Sequence, residues 1–202
     1  MAATARNYDV TQIHQGPGDL WVLPLTVAPS DSAVRLTLAA DGSVDSVAHA
    51  GAICLGLTKG GITFAIKQKF SDISVDQFDA PVDTYIDDTE ASLEAELSQQ
   101  GITLLQNAYT TGVFSTVASP GWNQLTIGGT SIVPQACIAA ISPKRTGAGL
   151  WIVSCLYQAS AQGGLQAIMA RNKASSHKVM FKGQSVPSRT AGKQIGVHYE
   201  TT

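Results

Sequence analysis

The chain has 202 residues, enough to bury a core of its own in one domain without a disulfide or a structural metal. Charged residues make up only 14% and aromatics 6%, with 19 glycines, so the surface is neutral-polar and poor in the charges that keep copies apart. Thirteen Lys and Arg against fifteen Asp and Glu, a net charge of −2, argue against binding to a phosphate backbone, and no apolar run reaches the ~18 residues needed to span a bilayer.

Along the chain, Met1 to Val10 has no apolar core, so no secretory signal is expected there. Residues 1–18 read as a flexible arm and residues 19–202 as a single domain. Gly56 to Gly61 reads as a tight turn, because it lacks the Gly-Lys-Ser/Thr ending of a phosphate loop and leads into a strand. From Gly61 to Phe70, Ile62, Phe64, Ile66 and Phe70 alternate with polar or small residues, the period of a half-buried strand. The phase slips at Ile73 and Val75, which places a bend or bulge near Ser71 and turns the chain away from the sheet. Asp79-Ala80-Pro81 breaks the pattern, and from Ala91 to Leu97 a second alternation turns Ala91, Leu93, Ala95 and Leu97 inward and Ser92, Glu94 and Glu96 outward.

Ile102, Leu105, Ala108 and Tyr109 recur at helical spacing before Gly112, which predicts one short amphipathic helix. Further strands are expected at Leu125 to Ile127, Ile132 to Ile141, Leu150 to Tyr157, Val179 to Phe181 and Ile195 to Tyr199. Many strands, one helix and no βαβ rhythm give a mainly β protein, an antiparallel β-sandwich or barrel with a flanking helix.

Charge is split along the chain. Between Phe70 and Gln100 lie nine acids and no base, whereas from Pro143 onward eight bases face Glu200 alone. Opposite charge on two surfaces of one subunit suits a head-to-tail contact between copies. The acidic stretch from Asp72 to Glu90 is therefore expected to form an arm that meets the basic carboxy-terminal region of a neighbour.

Catalytic chemistry is not signalled. His14, His49, His177 and His198 have no metal-ligand spacing and read as surface or loop residues, and no Gly-x-Ser-x-Gly elbow occurs. Glu94 and Glu96 lie two apart on one strand face, a spacing within reach of a glycosidase pair, but no other catalytic feature accompanies them. The aspartates from Asp72 to Asp88 lack the order of a calcium loop. Cys54, Cys137 and Cys155 stand in apolar surroundings and read as free thiols. No catalytic residue, metal or cofactor is expected.

Several segments in order resemble a known family. Leu55-Gly56-Leu57-Thr58-Lys59-Gly60-Gly61-Ile62-Thr63-Phe64, then Phe70-Ser71-Asp72-Ile73-Ser74-Val75-Asp76-Gln77, then Pro81-Val82-Asp83 and the alternating Ala91 to Leu97 look like the tail tube protein, or major tail protein, of long-tailed bacteriophages. Val179 to Phe181, Pro187-Ser188-Arg189 and Gly192-Lys193-Gln194-Ile195-Gly196 look like its closing strands. The likeness covers Ile53 to Tyr109 best and is vague between Thr111 and Ala174.

The resemblance implies a β-sandwich with a helix, hexameric rings built by joining sheets into an inner barrel, and rings stacked into a tube. A virion protein of that kind would be assembled in the host cytoplasm. It would meet tape-measure, tail-tip or baseplate and tail-terminator proteins, and pass phage DNA without binding it specifically. Interface candidates are Asp72, Asp76, Asp79, Pro81 and Asp83 on the acidic side and Lys178, Lys182, Arg189 and Lys193 on the basic side, with Glu94 and Glu96 facing the lumen. Other tube-fold roles (terminator, distal tail, baseplate hub) and a carbohydrate-binding β-sandwich are the alternatives.

Overall fold

The structure, a computed structural model, describes residues 18–30, 35–73, 82–98, 113–117, 121–126, 133–144, 150–162 and 177–201. Their regular elements in chain order are β1 (Asp19–Leu23), a 3-10 turn (Leu25–Val27), β2 (Ile53–Ile73), β3 (Asp83–Leu97), β4 (Val113–Val117), β5 (Trp122–Thr126), β6 (Ala136–Pro143), β7 (Trp151–Gln162), β8 (His177–Gly183) and β9 (Gly196–Glu200). The fold is mainly β and antiparallel, as its alternating runs require. The helix expected at 102–109 falls outside the described residues.

Seven strands form one sheet in the order β6-β1-β2-β3-β8-β7-β9, and a further pairing of β6 with β7 closes six of them into a barrel. β4 and β5 form a separate hairpin. Closure removes sheet edges around the body of the molecule. The pairing of β7 is divided. One edge follows β6, while the other meets β9 at Ile152–Leu156 and then β8 at Ala159–Gln162.

Side chains that alternate along the strands fill two cores. Leu20, Leu55, Leu93, Leu97, Ile138, Leu156, Val179 and Phe181 pack inside the barrel. Cys137, Ala139, Ile141, Val153, Cys155 and Tyr157 point the other way, into a second core closed by Leu36 and Val44 from the stretch that follows β1. β6 is thus buried on both faces, which accounts for its unbroken apolar run. His49 anchors the covering stretch: Nδ1 lies 2.7 Å from the carbonyl of Val27, and Nε2 accepts from the amide of Thr37 at 3.1 Å. Tyr199 holds it from β9, accepting from the amide of Leu36 at 3.0 Å and donating to its carbonyl at 3.2 Å.

Several expectations change. Gly56 to Gly61 is no turn between strands: β2 runs through it, and the pairing with β3 shifts between Thr58 and Ile62. Gly56, Gly60 and Gly61 have φ of 95°, 81° and 93°, so glycine lets the strand bulge there and stay paired. The slip near Ser71 does not turn the chain away either. Ser71 pairs with Tyr85, and the irregularity lies one step earlier, between Lys69 and Phe70, where Asp87 is the extra residue on β3. His49 and His177 are buried, at 6% and 1% exposure, contrary to a surface reading; a polar ring in a core needs only hydrogen-bond partners, which spacing does not reveal.

Candidate interaction site: the projecting hairpin

β2 and β3 outrun the barrel. β1 covers β2 only from Ile53 to Leu57, and β8 covers β3 only from Ser92 to Leu97. Beyond these points Ile66–Ile73 and Asp83–Ala91 pair only with each other among the described residues, a ribbon of roughly 25 Å at the usual rise per strand residue. A two-stranded ribbon alone is marginally stable, and both of its outer edges carry unpaired backbone groups.

The faces of this arm follow from register. Ile62, Phe64, Ile66 and Phe70 on β2 share a face with Ala95, Leu93, Ala91 and Ile86 on β3. Inside the barrel that face is core. Outside it the same stripe meets solvent, with Ile66 and Phe70 each 59% exposed and Ile86 51%. Tyr85 and Ile73 on the opposite face, and Val82, are also exposed. Such a cluster exceeds the scattered apolar exposure of ordinary surfaces.

The stripe forms one wall of a groove of about 450 Å³, whose other wall is Gln194 to His198 at the start of β9. The His198 ring stacks on Phe64, with centroids 5.9 Å apart, and its Nδ1 lies 2.9 Å from Ser154 Oγ. Ser154 is buried, and no carboxylate among the described residues is bonded to His198, so the pair lacks the third member of a triad. No three His, Cys, Asp or Glu side chains among the described residues gather as metal ligands, and no described helix is long and apolar enough to cross a membrane.

The polar face carries the charges. Lys67 is opposite Glu90, Lys69 opposite Asp88, and Glu96 opposite Lys178. Lys182 Nζ donates to Glu90 Oε1 at 2.6 Å, Lys178 lies 3.1 Å from Glu94, and Lys69 lies 3.2 Å from Asp87. The bond from Lys182 holds the Glu90 carboxyl below its ordinary range, and the same bond lifts the Lys182 ammonium above its own.

The candidate residues named from sequence thus separate into groups. Glu94 and Glu96 share the polar face with Lys178 and Lys182, and Glu94 and Glu90 are paired with those lysines within one chain. Asp72 and Asp83 stand at the far end of the arm, bonded to the hydroxyl and the amide of Thr84, each at 2.8 Å. Arg189 and Lys193 lie in the connection between β8 and β9. Asp76, Asp79 and Pro81 fall outside the described residues. Sequence reasoning missed the exposed stripe, although its alternation was visible, because alternation gives a face and not the point where a strand leaves its neighbours.

No model of a known protein family matches the chain, and no curated protein matches it.

Proposed function

We propose that the chain is a structural subunit that assembles with copies of itself into rings stacked as the tail tube of a long-tailed bacteriophage. The observation that carries this is the arm, a ribbon with two open edges and an exposed apolar stripe on a closed barrel that leaves few other edges among the described residues. Pairing the β2 edge of one copy with the β3 edge of the next is a heterologous contact that closes into a ring when the rotation permits. Each such contact supplies the missing strand neighbours and covers the stripe. The sequence resemblance to tail tube proteins over Ile53 to Tyr109 supports the same reading.

In such a ring the apolar stripe packs toward the barrels and the face bearing Glu94 and Glu96 lines the lumen. Lys69, Lys178 and Lys182 on it, neutralised by Asp87, Glu94 and Glu90, would offer passing DNA little free positive charge to hold it by counterion release. The partners are then other copies, the tape-measure protein, and the tail-tip and terminator proteins.

Electron microscopy of the purified chain over a range of concentration and salt tests the reading. Rings or tubes are expected, and a chain that remains monomeric at high concentration, with or without tail-tip initiator, overturns it. Particles bearing Glu94→Lys and Glu96→Lys should build tubes but eject DNA poorly; normal ejection removes those residues from the lumen.

A further inference from the structure

The connection between β8 and β9 folds back against the 3-10 turn and leaves a cleft of about 280 Å³ lined by Leu25, Pro29, Tyr157, Ser188 and Arg189, among others. The central carbon of the Arg189 guanidinium lies over the Tyr157 ring, 3.5 Å from its centroid, and Nη2 donates to the carbonyl of Pro29. Nη1 is buried and has no hydrogen-bond partner among the described residues.

An ionised donor removed from water without a partner is strongly disfavoured, and Arg189 has no carboxylate bonded to it among the described residues. Lys69, Lys144, Lys178 and Lys182 each have one. At the cleft the guanidinium is held by the aromatic ring and one carbonyl bond and still lacks an anionic partner among the described residues.

We infer that this cleft receives a carboxylate from the far end of the projecting hairpin of a second copy, and that Arg189 is the group that binds it. The inference rests on the self-assembly reading and names the residue that makes the contact between opposite charges. Charge complementarity selects the occupant. Asp72 and Asp83 stand at the end of the arm, and the sequence places Asp76 and Asp79 between them with no base from Phe70 to Gln100. Lys178 and Lys182 are weaker receptors because acids of their own chain already hold them. Once the side chains that cover Nη1 shift aside, a docked carboxylate would bond Nη1 and a second guanidinium nitrogen in the bidentate manner of arginine.

The central comparison is among three full-length chains, wild type, Arg189→Asp, and Asp72→Lys with Asp83→Lys, with Arg189→Lys and Asp31→Asn beside them. Circular dichroism melts establish that each folds, and sedimentation velocity reads the concentration for half assembly. Each variant alone should need about tenfold more protein or worse, the loss expected for a charge-assisted contact. An equimolar mixture of the two variants should recover assembly, since a lysine-bearing hairpin then meets an aspartate-bearing cleft. Arg189→Lys should recover only part, because an ammonium cannot fork. Asp31, which follows the cleft residue Ser30 in sequence, is the control, and Asp31→Asn should leave assembly unchanged.

Wild-type assembly with Arg189→Asp assembling equally well overturns this inference and leaves the self-assembly reading intact. A mixture no better than its components, or an effect of Asp31→Asn equal to that of Arg189→Asp, overturns it also by placing the contact within one chain. A wild-type chain that stays monomeric overturns both readings.

Discussion

Lys182 on β8 reaches past its own strand partner, Ser92, to bond Glu90 on β3, which lies beyond the last residue that β8 covers. The bond ties the root of the projecting hairpin to the barrel. Both side chains are about half exposed, so it acts as a clasp on the arm and contributes little to global stability.

The clasp should respond to pH at both extremes. The Glu90 carboxyl titrates below its ordinary value, so its contribution is present above the usual range near pH 4 and is lost as pH falls through the lowered value. The Lys182 ammonium titrates above its ordinary value, so its contribution is present below about pH 10 and is lost as pH rises through the raised value. Carbon-detected NMR titration of Glu90 should show the low midpoint, and Lys182→Met should return it to the ordinary range.

Exposure of the stripe separates folding from assembly. Phe70→Ser with Ile86→Ser should change the melting free energy of the monomer by no more than about 0.5 kcal/mol per site, as at ordinary surface positions. The same chain should lose assembly by light scattering. Phe181→Ala, in the barrel core, should instead cost about 3–5 kcal/mol in denaturant unfolding.

Gly61 has φ of 93° and open space where a Cβ would stand, so any penalty there comes from the backbone alone. Gly61→Ala should destabilise the chain by about 1 kcal/mol or slightly more, the difference between alanine and glycine in the left-handed region. A neutral result in thermal melts would mean that the bulge can relax without its positive φ.

Burial pushes the Tyr199 phenol up to about 12. A raised value means that the folded chain keeps a proton that the unfolded chain releases near pH 10, so stability is present below that pH and declines from there to about pH 12. Tyr199→Phe should flatten this decline in urea unfolding measured from pH 9 to 12, and should lower stability at neutral pH by loss of the two bonds to Leu36.

Cys137 and Cys155 are fully buried, with sulfurs 3.4 Å apart, and the hydrogen bond between them together with burial pushes the Cys155 thiol well above its ordinary range. A thiol-specific reagent should label half-buried Cys54 first and the other two only as the chain unfolds. Labelling of all three at one rate in native protein would contradict this.

Much of the strand pattern was legible because burial of one face imposes a period of two. Ala91 to Leu97 follows its expected faces residue by residue. β1 was not legible, since Asp19–Leu23 is short, lies between two partners and presents apolar residues on both faces. The first half of β3 was hidden from periodicity for a different reason, although the resemblance starts a long strand at Pro81-Val82-Asp83. Asp83 to Glu90 is acidic and exposed, and its strand geometry comes from pairing with β2, which a local pattern does not record. The opposite charges were visible in sequence, but their pairing was not: register set two of the contacts, Glu90 with Lys182 and Glu94 with Lys178, within one chain.

β1 lies between β2 and β6, so the barrel closes only when the first described strand meets one that follows most of the others in sequence. Loop-closure entropy makes such non-local pairing slow, whereas the hairpin of β2 and β3 joins neighbours in the chain and can form on the order of microseconds. The pairing that makes the arm can therefore form, if only marginally stable, before the body that bears it has closed. Its edges are available to other chains while the barrel is still open, so the yield of refolding should fall steeply with protein concentration.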